Sequence, residues 1–341
     1  MERYVDALLE EMDARRQEHQ IRTVYIGGGT PSIMPIEQMA RLVEGLRLCF
    51  DLSQLEEATI ECNPEDMTPQ YLADLHSLGL FNRLSVGVQS LDDDVLHLVG
   101  RRHTSNQAVD AVSRARAIGF DNISVDLIYG IKELDELDSG DDLGGLVDMA
   151  SHVSAYALTV EEGTPLAVQV EKGLISLPGD DEVVRQYYAM HDFLASKGFE
   201  QYEVSNYCRP GFRSRHNSRY WDRTPYLGLG AAAHSFDGCR RRWNVADVDR
   251  YISTHDYEEE TLTKRDAYNE LLMTSLRTVA GLQEERVPEQ YRKSLQIRMR
   301  PYMDCGWVRF VADGRTHFAS YVPTTDGLLH ADGIAADLFV E

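Results

Sequence analysis

Apolar residues recur at Tyr4, Val5, Leu8, Leu9 and Met12 with charged residues between them, so the chain opens on an amphipathic helix. The run Thr23-Val24-Tyr25-Ile26 has strand character and stops at Gly27-Gly28-Gly29. The helical pattern returns over 35–50, 69–78, 92–99, 106–118 and 143–150. Strand candidates at 58–62, 83–88, 123–128 and 154–159 lie between these segments. Short β-branched runs alternating with helices predict parallel β/α units, whose ligands sit at the carboxyl ends of the strands. Those ends are Gly27 to Thr30, Glu61-Cys62-Asn63, Gln89-Ser90, Asp126 with Tyr129-Gly130, and Thr159 to Glu162. All five carry hydrogen-bonding groups, which points to a shared pocket. Because the chain opens on a helix, the first strand of the pattern is either missing or upstream, or the helix is a simple cap.

The pattern changes after residue 160. A helix over 180–196 and a strand over 199–204 are expected, then a polar, aromatic-rich stretch from Tyr207 to Trp243. Helices over 268–279 and 289–303, a strand at 307–311 and turns near Gly314 and Gly327 predict a winged-helix-like module. The division expected is a partial (β/α) barrel over 1–205, a connecting segment over 206–264 and an α+β module over 265–341. The acidic stretch 135–142 and the pair Glu161-Glu162 are expected to be solvated loops.

Charge narrows the partners. With 34 basic and 56 acidic residues the formal net charge is −22, a field that repels phosphate backbones, so nucleic acid is not an expected partner and the winged module is assigned a packing or lid role. No apolar run reaches the roughly 20 residues of a membrane span, and Met1 to Asp6 lack a signal-peptide layout. The expected compartment is the cytoplasm. The five cysteines, Cys49, Cys62, Cys208, Cys239 and Cys305, are too scattered for a disulfide framework or a close-spaced metal site.

Three constellations carry candidate chemistry. The first is Gly27-Gly28-Gly29-Thr30-Pro31, which lets backbone approach a ligand closely but lacks the Lys-Ser/Thr of a P-loop; a ligand grip and a tight turn remain equal readings. The second is Glu61, Gln89, Arg101 and Asp126. Carboxylates at strand ends can hold ribose hydroxyls or an ammonium, and an arginine can pair with a carboxylate on two prongs. Each alone is more often structural; together they suit a small zwitterionic nucleoside. The third is His216-Asn217-Ser218-Arg219-Tyr220-Trp221, where an imidazole beside aromatic faces can serve heme iron, although a buried, hydrogen-bonded histidine is the favoured reading of that residue alone. His234 lies in a small-residue loop that lets a flat ligand approach. No Ser/His/Asp elbow or H-E-x-x-H motif is present.

Five segments, Tyr25 to Ser32, Glu61 to Pro64, Ser85 to Ser90, Val125 to Gly130 and His216 to Trp221, resemble in order the radical S-adenosylmethionine proteins of the coproporphyrinogen III oxidase-like group, over nearly the whole chain. The compact length and the last segment favour its heme-chaperone branch over the longer oxidase, with decarboxylation of coproporphyrinogen as the alternative activity. The resemblance implies an open (β/α) barrel with a C-terminal accessory domain. It implies an S-adenosylmethionine pocket at Gly28, Gly29, Thr30, Glu61, Gln89, Arg101 and Asp126, and heme binding at His216, Asn217 and Tyr220. It further implies client heme proteins as partners, with peripheral contact to membrane-bound ones. The group also carries a Cys-x3-Cys-x2-Cys loop for a 4Fe-4S cluster after its first strand. No such spacing occurs in this sequence, so the chain as given is not expected to be catalytically active. Either an upstream strand and loop are missing or the chain is a natural cluster-less form; the retained pocket residues favour the first.

Overall fold

The computed structural model describes residues 1–16, 20–132, 141–312 and 319–341, without the side chain of Asp141. Seven strands form one sheet. Five are parallel and consecutive: β1 (Thr23–Ile26), β2 (Glu57–Cys62), β3 (Arg83–Gln89), β4 (Asn122–Tyr129) and β5 (His152–Ala157). Beyond β5 come two short antiparallel strands, β6 (Glu200–Gln201) and β7 (Asn206–Cys208), in the order β5-β7-β6. The sheet therefore has two edges, β1 and β6, and is an open, partial barrel of α/β class.

Side-chain alternation explains why these runs are strands. On one face Ile60, Leu84, Val86, Ile123, Val125 and Val153 are fully buried in a single core with Leu42, Leu72, Leu75, Val112 and Leu146 of the surrounding helices. The other face is polar: Glu57, Thr59 and Glu61 on β2, Arg83 and Ser85 on β3, Ser124 and Asp126 on β4, His152 and Ser154 on β5. Parallel sheets normally bury apolar side chains on both faces; a polar concave face is the exception that makes a ligand site. Part of it is self-satisfied. The ring of His152 bonds Ser124 Oγ at 2.7 Å through Nδ1 and the Tyr202 hydroxyl at 2.8 Å through Nε2, and burial holds its pKa well below the usual value, so it is neutral.

The rest of the described chain adds two further three-stranded sheets. Strands β8 (His234–Phe236), β9 (Arg240–Asn244) and β10 (Tyr257–Thr261) make an antiparallel sheet that the sequence pattern did not announce. The helix Glu2–Ala14 is tied to this segment by one buried carboxylate: Glu11 accepts from the Gly230 N–H, Asn244 Nδ2, the Tyr251 hydroxyl and Arg15 Nη1 at 2.7–3.2 Å. Four donors hold the Glu11 carboxyl below its usual range despite burial.

At the C-terminal end a separate apolar cluster holds the helices Lys264–Ser275, Glu289–Asp304 and Ala331–Leu338 against β11 (Leu282–Gln283), β12 (Val308–Ala312) and β13 (Ala319–Pro323), which pair in the order β11-β13-β12. The strand expected over 199–204 is instead two residues long, because Tyr202 and Glu203 turn the chain into β7. The turn expected near Gly327 is a short helix, Thr325–Leu329, capped by the Thr324 hydroxyl. The turn near Gly314 and most of the acidic stretch 135–142 lie outside the described residues; Glu161 and Glu162 are exposed in a turn.

Replacing Glu11 by Ala leaves two buried donors unpaired and is expected to cost roughly 3 kcal/mol in urea unfolding. The wild-type advantage should be full above the carboxyl's unfolded range and shrink as pH falls through its lowered folded value.

Candidate functional site

The carboxyl ends of β1 to β4 converge. Gly29, Thr30, Glu61, Gln89, Arg101 and Asp126 all border one small cavity of about 190 Å3, together with Asn63, Ser85 and Gly87. Gly28 is outside its wall. Its N–H donates to Glu61 Oε2 at 3.1 Å, and it faces a larger groove on the other side of the loop.

Local conformation explains the residue types. A Cβ on Gly27 would meet Tyr25 Cε1 at 2.5 Å and Glu61 Oε1 at 2.7 Å, so any larger residue would push one of these side chains aside. Gly28 and Gly29 adopt φ of 82° and 121° with open space around them, which leaves backbone exposed to a ligand. At the end of β3 the register shifts between Val86 and Gln89, and Gln89 takes φ 71°, rare for a residue with a side chain. That kink turns Gln89 to the cavity. Gly87 leaves room for Arg101, whose Nη2 would sit 2.7 Å from a Cβ there.

Arg101 touches only neutral acceptors, Asn63 Oδ1 at 3.4 Å and the Gly87 carbonyl at 3.5 Å, both long. No described carboxylate pairs with it. Asp126, across the cavity, has its carboxyl pushed up to about 6 by burial, partly offset by Ser154 and Arg83. A free guanidinium opposite a carboxylate is the donor–acceptor layout that an α-amino acid group requires.

The segment His216–Trp221 lies on a helix, Arg215–Trp221, where the sequence pattern suggested only a polar stretch. Its N-terminus is held by Glu57, 2 % exposed, whose carboxylate accepts from the backbone N–H of Arg215 at 2.9 Å and His216 at 2.8 Å. A carboxylate there satisfies helix N–H groups that have no partner within the helix. His216 is thereby set against β1: Nδ1 lies 3.0 Å from Thr23 Oγ1, Nε2 lies 2.9 Å from the Tyr220 hydroxyl, and the ring stacks on Tyr25 at 5.0 Å. Burial lowers the imidazole pKa to about 4, so the ring is neutral near neutral pH. Tyr220 is 41 % exposed and, with His216, borders the groove of about 1620 Å3 that runs along β1. Asn217 contributes its backbone N–H to the Ser214 cap, and no side-chain bond of it is seen. His234 also borders the groove and stacks on Trp243.

Sequence reasoning missed two residues that organise both sites. Glu57 anchors the helix, and its signal was the two-residue spacing with Thr59 and Glu61. Tyr25 joins the sites: its hydroxyl donates to Glu61 Oε1 at 2.6 Å while its ring carries His216.

Comparison with known proteins agrees with this geometry. Residues 1–139 match the radical SAM superfamily. The solved structure of coproporphyrinogen III oxidase (HemN) from Escherichia coli, a radical SAM enzyme, superposes with a TM-score of 0.79 at 21 % identity, over 99 % of this chain and 83 % of that one. The fold is thus that of the radical SAM proteins, the class to which S-adenosylmethionine and a 4Fe-4S cluster belong as cofactors.

Among curated sequences, proteins named heme chaperone HemW are 35 % identical in Lactococcus lactis, across 86 % of this chain and 78 % of the relative, and 34 % identical in Bacillus subtilis, across 86 % and 80 %. The chain belongs to the HemW family.

Asp126 holds its proton more tightly folded than unfolded, so its ionisation opposes folding as pH rises from about 4 to 6. Asp126→Asn should therefore gain thermal stability over wild type above pH 6 and lose that gain below pH 4, in melting curves taken across the range. A pH-independent difference would contradict the assigned burial.

Proposed function

We propose that the protein binds heme at the His216–Tyr220 face and passes it to client heme proteins, with S-adenosylmethionine held at the glycine-edged mouth. The observation that carries this reading is the His216–Tyr220 pair on the helix Arg215–Trp221, its imidazole held against β1 and open to a groove large enough for a flat macrocycle. Membership in the HemW family supports it.

The residues suit the task chemically. With the proton on Nδ1 donated to Thr23 Oγ1, the Nε2 lone pair accepts from the Tyr220 hydroxyl. That lone pair is the group a heme iron takes when the phenol swings away, and the Thr23 bond keeps the ring oriented. Tyr220 and Tyr226 pack edge to face beside it and offer aromatic surface to the porphyrin.

At the mouth, Arg101 would hold the carboxylate of S-adenosylmethionine, Glu61 and Gln89 its polar groups, and Asp126 its ammonium or ribose hydroxyls. The cavity is smaller than the roughly 300–1,000 Å3 of sites for larger ligands, so it takes the amino-acid end while the remainder lies over Gly28 and Gly29. In this superfamily the bound sulfonium supplies a carbon radical by way of the iron–sulfur cluster. Among the described residues no three His, Cys, Asp or Glu side chains form a metal site, and the thiol of Cys62, beside the mouth, is pushed up by burial away from the thiolate that iron needs. These donors do not fit the cluster, and they support no radical step. The coproporphyrinogen oxidase reading has only a likeness of fold at 21 % identity behind it and is the weaker one.

Clients reached by surface contact include membrane-bound heme proteins; no described helix of this chain is long and apolar enough to cross a membrane. The compartment proposed is the cytoplasm. We also propose the barrel, connecting-segment and winged-module boundaries at 205/206 and 264/265.

Heme titration followed at the Soret band should show saturable binding, with affinity at least about tenfold lower in His216→Ala/Tyr220→Phe. Unchanged affinity would remove the motif from the site. Because the imidazole stays neutral until pH approaches 4, ligation should persist at pH 5.5, where a histidine of ordinary pKa would be mostly protonated.

A further inference from the structure

On the concave face Arg83 has no hydrogen-bonded or ion-paired carboxylate among the described residues. Arg83 of β3 and Thr59 of β2 are register neighbours, one row inward of Glu61 and Ser85 on the cavity wall. They are 1 % and 0 % exposed. Arg83 makes no ion pair or side-chain hydrogen bond with any described residue, and its Nε and the Thr59 Oγ1 are both sealed from solvent without a partner. A native interior seldom leaves a buried guanidinium bare, because the desolvation is costly.

The nearby carboxylates are already engaged. Glu57, one row further in, is held by the backbone N–H groups of Arg215 and His216. Glu61, one row out, takes the Tyr25 hydroxyl and the Gly28 N–H. Asp126 bonds Ser154 and faces the mouth. Arg83 is within electrostatic reach of Tyr25, Asp126, His152 and His216, residues of the mouth, the lumen and the helix Arg215–Trp221. Two adjacent buried donors, the Arg83 Nε–H and the Thr59 hydroxyl, lack an acceptor.

We propose that Arg83 and Thr59 form an oxyanion site on the concave face that takes a carboxylate, and that this carboxylate is a propionate of the bound tetrapyrrole. The first half stands on the orphaned donors alone; the second rests on the heme reading. A carboxylate matches the guanidinium on two prongs and accepts the threonine proton as well.

The test uses the full chain as wild type, Arg83→Met and Thr59→Val. Sodium propionate, compared with sodium chloride at equal ionic strength, should raise the melting temperature of the wild type and leave both variants unmoved. Heme should bind the variants about tenfold more weakly, whereas heme dimethyl ester, whose carboxylates are masked, should bind all three alike. Arg83→Met removes an unpaired buried charge and is expected to melt no lower than wild type; should it fail to fold, Thr59→Val carries the comparison. Propionate shifting all three proteins equally, or none, would overturn the site and leave Arg83 as a water-solvated core cation. A propionate shift confined to wild type, with neither heme nor its ester binding, would keep the oxyanion site and overturn the heme reading.

Discussion

The pleat of β2 is the constraint on which the rest depends. Its side chains alternate faces, so Ala58 and Ile60 enter the apolar core while Glu57, Thr59 and Glu61 share the concave side. The carboxylates at either end of this row hold the N-terminus of the helix bearing His216 and the glycine loop with Tyr25. A slip of one residue would send both carboxylates into the core and the core residues into the lumen. Pairing on both sides, with β1 through Tyr25–Thr59 and with β3 through Thr59–Arg83, fixes that register.

From this row two sites arise that are physically continuous. Tyr25 hydrogen-bonds the residue that grips the glycine loop and stacks on the imidazole of His216 on the helix Arg215–Trp221. The polar lumen is tolerated because most of it is paired internally, as in the chain Ser124–His152–Tyr202. The exceptions are where a ligand would supply what the protein does not.

Membership in the HemW family and a radical SAM fold sit beside a described donor set that forms no iron–sulfur site. The two facts concern different parts of the architecture. The mouth is built from strand ends and their loops, and it assembles whenever the strands pair. Cluster ligation depends on thiolates brought together by one loop, and Cys62 and Cys208, at opposite sides of the sheet, cannot substitute for such a loop.

Local sequence determined the parallel β/α order, the strand ends that converge and the cavity wall, which holds every candidate mouth residue except Gly28, because strand alternation and glycine punctuation act within a few residues. The helical state of Arg215–Trp221 was not legible there. A helix of about two turns is too short to be held by propensity, and the carboxylate that caps it is supplied by Glu57, far away in the chain. The same holds for the sheet of β8 to β10, whose arginine-rich middle strand lacks a strand's apolar alternation and is held by the acidic β10 beside it. Nothing in the local sequence marks Arg83 at the start of β3; only the folded chain, by turning it inward where neighbouring carboxylates have other partners, leaves its Nε without one. Spacing along a strand is a short-range property, whereas the supply of partners is decided by whichever segments the fold brings alongside.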